Sequence, residues 1–237
     1  MRNLTWWEEF VPQGVVYDIG ANVGNTVCEF APLAEWVYAF EPNPKCFAEL
    51  QTSTKGLENV RLFDVGLSNR IGKSQVFTYR HWLLLPVNPS DPRYRNPDYH
   101  PGQPIHLKGE FPVFFTTLDQ VVTVLRPPDF IKIDVDGMEW AVLDGARKVL
   151  HDLKPILYLE LGVQGVQDHG DSARDLTALL CKCGYEFVLD SYGRPLRATE
   201  RLLLSCADGY DHNINVLCVP SGDPRLERWP APTAYFE

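Results

Sequence analysis

The sequence predicts an α/β domain built on a mostly parallel sheet with helices on both faces. Two observations carry this. Short apolar runs alternate with amphipathic segments of helix length, the pattern of strand–helix–strand units. The runs are also close to uniformly apolar, as strands buried on both faces must be. In open sheets of this type ligands bind beyond the carboxyl ends of the strands, where the strand order reverses.

Taken in order, VVYDI (Val15–Ile19) reads as the first strand and NTVCEFAPL as a short helix stopped near Pro32. WVYAFE (Trp36–Glu41) reads as the second strand. NPKCFAELQTST opens a helix, with Asn43 as N-cap and Pro44 at the first helical position. NVRLFDV (Asn59–Val65) is the third strand, and GLSNRIGKSQVFTYR predicts a hairpin turning at Asn69–Gly72. From His81 to Pro112 there are seven prolines and no periodicity, which predicts a long loop. The alternation resumes with DFIKIDV (Asp129–Val135), a helix from about Glu139 to Leu150, and PILYLEL (Pro155–Leu161). A helix to about Cys183 follows, then the strands YEFVLD (Tyr185–Asp190) and NINVLCV (Asn213–Val219). One domain over residues 1–237, with an insertion at 81–112, accommodates all of this.

Composition narrows the function. At 45% hydrophobic residues the 237-residue chain can bury a sizeable core, and its formal net charge of −9 argues against a broad nucleic-acid or anionic-membrane surface. The six Cys form no CxxC pair and read as free thiols. No apolar run reaches the roughly 18 residues a membrane span needs. A cytoplasmic protein is expected, and the sequence leaves its oligomeric state open.

The segment Asp18-Ile-Gly20-Ala-Asn22-Val-Gly24 crosses from the first strand into a helix. It lacks the GxGxxG spacing of a dinucleotide site. Asp18 also places a carboxylate where a pyrophosphate would be repelled, whereas a ligand bearing an ammonium and a sulfonium would be attracted. S-adenosylmethionine (SAM) bears both. Glu41 follows Asp18 by 23 residues, ends the second strand, and can accept hydrogen bonds from ribose hydroxyls. Asp64, with Val65, closes the third strand as a candidate partner for adenine. Thr26 is either a helix-start residue or a contact to the SAM carboxylate.

The segments VYDIGANVGNT, VYAFEPNP, NVRLFDVGLSN and FIKIDVDGMEWAVLDGA together resemble the FkbM-type SAM-dependent methyltransferase family. They appear in the family's order between Val15 and Glu160, and the KIDVDGME…LDGA block is the most specific of them. Where the family usually has Glu, this chain has Asp136, which keeps the charge and shortens its reach. The resemblance implies the class I, Rossmann-like methyltransferase fold, a seven-stranded mostly parallel sheet with its last strand antiparallel and helices on both faces. Here the insertion lies between the third and fourth strands. The resemblance also implies methyl transfer from SAM, usually to a hydroxyl on a sugar or natural product.

A hydroxyl acceptor needs a group to take its proton. Asp134 ends the fourth strand and Glu160 lies in the fifth, so both are candidates, Asp134 for positioning and cofactor contact and Glu160 for proton uptake. Lys132 within the fourth strand needs a buried partner. Asp136 and Glu139 are candidate substrate contacts, and with Asp134 they offer oxygens to a magnesium ion, but no geometry fixes one and no metal is assigned. Glu139 alternatively stabilises a helix N-terminus. Trp82, Tyr99 and His100 in the insertion, and His169 after the fifth strand, are candidate acceptor contacts. The insertion's charges nearly cancel, which suits a neutral hydroxylated acceptor. Methylation of a nitrogen or a macromolecule, and SAM binding without catalysis, are the alternatives.

Overall fold

All five residues of β1 (Val15–Ile19) are buried. In the computed structural model, which describes residues 10–79, 82–84, 110–135, 137–161, 173–191, 194–199 and 214–229, this strand lies in the interior of the sheet. Side chains alternate across it. Val15, Tyr17 and Ile19 enter one apolar layer with Leu118, Val142 and Leu176, while Val16 enters the other with Val27, Phe30 and Leu50. Helices α1 (Asn25–Phe30) and α2 (Pro44–Ser53) therefore cover one face. Helices α3 (Leu118–Val121), α4 (Glu139–Asp144) and α5 (Ala173–Lys182) cover the other.

β2 (Trp36–Phe40) and β3 (Val60–Phe63) extend the sheet in parallel on one side of β1. β8 (Phe130–Ile133) and β9 (Ile156–Leu161) extend it in parallel on the other, so the order reverses at the β1–β8 boundary. β12 (Ile214–Pro220) inserts antiparallel between β9 and β10 (Tyr185–Ser191). β11 (Arg194–Ala198) then pairs antiparallel with β10 at the edge. The full order is β11-β10-β12-β9-β8-β1-β2-β3. The sheet thus has eight strands, not seven, because the chain folds back after β10 and adds β11 outside it.

A second sheet of four strands has the order β4-β7-β5-β6: β4 (Gly66–Leu67), β5 (Gly72–Tyr79), β6 (Trp82–Leu84) and β7 (Glu110–Thr116). The hairpin expected at Asn69–Gly72 does not form. β7 lies between β4 and β5, pairing Gly66 with Phe115 on one side and Gly72 with the same Phe115 on the other. The stretch expected to be loop from His81 to Pro112 begins and ends in strand, β6 and the start of β7. Pro112 is tolerated in β7 although its ring supplies no N–H to the ladder.

The helix expected to run from Glu139 to Leu150 is interrupted. α4 stops at Asp144, and a π-helical turn follows at Val149–Leu153. At the interruption stands Gly145, where an added Cβ would lie 2.1 Å from the Ser68 carbonyl oxygen, so the segment after β4 passes directly against it. The Asn43–Pro44 start of α2 forms as read, Asn43 Oδ1 accepting from the Lys45 N–H at 3.1 Å. Among the described residues no helix is long and apolar enough to cross a membrane.

Candidate active site

The glycine turn after β1 is the first component. Gly20, Asn22 and Gly24 have φ of 81°, 49° and 93°, a left-handed region that glycine enters freely and asparagine tolerates. The N–H groups of Gly20 and Ala21 both donate to the Phe40 carbonyl, at 3.0 and 3.1 Å, which draws the turn toward β2. Gly24 lets the start of α1 pack on α2, since a Cβ there would lie 2.6 Å from Ser53 Oγ and 2.7 Å from Leu50 Cδ1. Thr26 is half-buried in the first turn of α1.

Glu41 fixes the rim of this turn. Its Oε2 accepts from the Asn22 N–H and its Oε1 from the Asn43 N–H, both at 2.8 Å. Burial raises the Glu41 pKa, and these two backbone hydrogen bonds oppose it without cancelling it. A carboxylate has about four lone-pair sites, so two remain for other donors. Asp64 is exposed immediately after β3 rather than inside it, and Val65 is half-buried against the core.

The second component is a charged group on the α1 side of the sheet. Asp18 pairs with Lys132 in the β1–β8 register, and Lys132 with Tyr158 in the β8–β9 register. Asp18 is fully buried, and neither of its carboxylate oxygens has a hydrogen-bond partner. Burial pushes its pKa up to about 6. Lys132 opposes this but does not prevail. Its Nζ lies 3.5 Å from Asp18 Oδ1 and only 2.9 Å from Asp134 Oδ2, so the closer contact goes to Asp134. Burial also works against the Lys132 charge, but Asp18 and Asp134 outweigh it and keep the ammonium protonated.

Asp134 and Glu160 form the third component. The β8–β9 pairing ends at Ile133 and Leu159, so Asp134, just past the end of β8, comes next to Glu160, which is still within β9. Their side chains share a hydrogen bond. Two carboxyl groups can do this only when one holds a proton. Burial alone would raise the Asp134 pKa, but Lys132 and the bond with Glu160 hold it below the usual carboxylate range. Asp134 therefore favours its charged form. On the far side of Glu160, Asn215 of β12 occupies the paired position. Sequence reasoning passed over Asn215; its signal was a polar residue inside the apolar run of NINVLCV.

Glu139 is 1% exposed, and its Oε1 accepts from the Val135 and Gly137 N–H groups, both at 3.2 Å. It turns into its own loop at the start of α4. Asp136, Tyr99, His100 and His169 lie outside the described residues, and Trp82 is described only through the backbone of β6. Among the described residues no group of three or more His, Cys, Asp or Glu side chains could hold a metal ion.

These residues suit a cationic nucleoside cofactor. Asp18, ion-paired with Lys132 at 3.5 Å but without a hydrogen-bond partner, supplies buried negative charge, Glu41 keeps acceptor capacity at the rim, and no phosphate-binding glycine pattern is present. The strand order, with β12 antiparallel between β9 and β10, is that of a class I methyltransferase, and SAM is the cofactor of that class. The chain belongs to the methyltransferase FkbM domain family, which it matches over residues 18–187.

Among curated proteins it is 27% identical over 151 residues to the 2-O-methyltransferase NoeI of Sinorhizobium fredii, covering 59% of this chain and 60% of that protein. It is also 27% identical over 177 residues to the hexuronic acid methyltransferase AglP of Haloferax volcanii, covering 73% of this chain and 64% of that one. The chain thus matches somewhat under two thirds of the length of each. A crystal structure of methyltransferase FkbM from Methylobacillus flagellatus KT shares the fold, with a TM-score of 0.50 at 17% identity over 88% of this chain and 44% of that one.

Proposed function

We propose that this domain transfers a methyl group from SAM to a hydroxyl of a sugar, glycan or similar small molecule. The observation that carries the reading is the adjacency of Asp134 and Glu160 on neighbouring strands, on the same side of the sheet as Asp18, which supports a role for this pair in taking the proton of a methylated hydroxyl. The relatives support the acceptor class, one being named a 2-O-methyltransferase and the other a hexuronic acid methyltransferase.

When bound, SAM supplies an activated methyl group on a sulfonium. The chain's own residues then have three tasks. Gly20, Asn22, Gly24 and Thr26 shape the turn on which the methionyl end rests, and the buried charge of Asp18 favours the cationic end from beneath that turn. Glu41 accepts from the ribose hydroxyls with its remaining lone pairs, and Asp64 and Val65 flank the adenine. Asp134 holds the methyl-bearing end and the acceptor in line, an alignment that itself accounts for much of the rate. As the oxygen–carbon bond forms and the sulfur–carbon bond breaks, Glu160 takes the hydroxyl proton. Glu139 acts through the loop it fixes. Trp82, Tyr99, His100, Asp136 and His169 remain candidate acceptor contacts.

Calorimetry with SAM, followed by methyl transfer to a panel of hydroxylated sugars and uronic acids, tests the proposal. SAM binding with no transfer to any hydroxylated acceptor, alongside transfer to amines, would overturn it.

A further inference from the structure

Lys132 is 7% exposed in the middle of β8, on the same face of the sheet as Asp18. Among the described residues it is the only cation within ion-pair distance of Asp18 or Asp134. A buried ion pair needs no functional explanation by itself, but this one is poor as a structural bond. Lys132 Nζ donates to Asp134 Oδ2 at 2.9 Å and stands 3.5 Å from Asp18 Oδ1, and neither Asp18 oxygen accepts a hydrogen bond. Asp18 is nonetheless fully buried, whereas the Asp134 side chain is 38% exposed. A buried carboxylate without hydrogen bonds depends on its countercharge to stay ionised. The other titratable groups around Asp18 are acids, Asp134 after β8 and Glu41 after β2, and as like charges they disfavour its ionisation. Ala39 of β2 pairs with it, and α1 brings only Val27 and Phe30 to the apolar layer on this face. Tyr158 of β9 pairs with Lys132 on the far side.

We propose that Lys132 is a positioning residue for SAM that acts through Asp18: as the countercharge of the buried carboxylate it keeps negative charge beneath the glycine turn, so that a cation raises the affinity for a cationic cofactor. The inference rests on the reading of that turn as the SAM site. Its sign is opposite to that of a lone cation, which would repel the sulfonium and ammonium and whose removal would tighten binding. With Lys132 gone, Asp18 has no partner and takes a proton, so the negative charge disappears together with the positive one. Asp18 lies two residues before Gly20 on the strand that runs into the turn, whereas Lys132 lies one strand away, so loss of the carboxylate charge outweighs loss of the ammonium. Even beside Lys132, burial holds the Asp18 pKa at about 6, which leaves the carboxylate little margin at neutral pH.

The test is a double-mutant cycle read by calorimetry at pH 7.5, with wild type, Lys132→Met, Asp18→Asn and the double variant. Two probes are titrated: SAM, and 5′-methylthioadenosine, which keeps the adenosine and the sulfur but has neither sulfonium nor ammonium. Lys132→Met should weaken SAM binding roughly fivefold or more, to about the level of Asp18→Asn. In the Asp18→Asn background the same substitution should cause no further loss, because the charge it protects is already gone. Methylthioadenosine affinity should stay within about twofold throughout, since a neutral ligand does not feel the charge. If Lys132→Met does not fold, Lys132→Gln, which keeps a polar side chain without the charge, carries the same comparison. SAM bound as tightly or more tightly by the folded Lys132 variant would overturn the proposal and leave the SAM reading standing. Equal losses for SAM and methylthioadenosine would also overturn it, by showing that Lys132 only supports the shape of the turn. A wild type that binds neither probe would overturn the SAM reading itself.

Discussion

A Cβ placed on Gly20 would lie 1.9 Å from the carbonyl oxygen of Asp134, so the glycine turn after β1 and the end of β8 cross at a distance only glycine allows. The same residue holds φ at 81°. Gly20→Ala should therefore destabilise the domain by about 2–3 kcal/mol or more, since both backbone strain and a backbone clash must be relieved. Urea denaturation checks this; an unchanged midpoint would mean that the turn and β8 are not in contact.

Asp18 predicts a conflict between stability and function. Its folded pKa of about 6 lies above the ordinary carboxylate value of 3.8. Proton binding to Asp18 thus favours the folded state, an advantage fully present below about pH 4 and lost as pH rises through about 6. Asp18→Asn should be more stable than wild type at pH 7.5, on the order of 1–3 kcal/mol, with the difference shrinking toward pH 4. The same variant should bind SAM more weakly. Parallel stability curves for the two proteins across that range would contradict the burial argument.

Glu41 has a double load, because it ties the turn through Asn22 and faces the proposed ribose position. Glu41→Ala should weaken SAM binding by about 1.5–3 kcal/mol, the range for hydrogen bonds to a charged group. The readout is calorimetry on protein whose circular dichroism matches wild type. Unchanged affinity would remove Glu41 from the ribose role.

The parts legible in the sequence are those set by local rules. The turn from Asp18 to Gly24 and the Asn43–Pro44 helix start depend on residues a few positions apart, and both form as expected. The central strands were readable because burial on both faces makes them uniformly apolar. The four-stranded sheet was not. β4 has two residues, β7 contains Pro112, and the Gly66–Phe115 pairing joins residues on opposite sides of the insertion. β11 escaped notice because RPLRA offers little alternation. In the site, the adjacency of Asp134 and Glu160 followed from strand order. The Lys132–Asp134 ion pair did not, since it depends on side-chain contact.

The insertion can be tested without disturbing either sheet. Leu84 of β6 and Glu110 of β7 both pair with Phe77, on opposite sides of β5. The ends of segment 85–109 are thus two strand spacings apart, roughly 10 Å. Replacing that segment with a short Gly/Ser linker routed past β5 should preserve folding and SAM affinity but abolish acceptor turnover. Normal turnover in the shortened protein would show that the segment makes no essential acceptor contact.

The most direct test of the account is methyl transfer by Glu160→Gln from isotopically labelled SAM to whichever hydroxylated sugar the wild type accepts. The variant keeps the shape of the side chain and removes its basicity. The account predicts label on an ether oxygen in the wild-type product. In the variant it predicts a fall in kcat on the order of 100-fold, with SAM affinity within about twofold. Full activity of Glu160→Gln from pH 6 to 9, or label recovered on nitrogen, would contradict it.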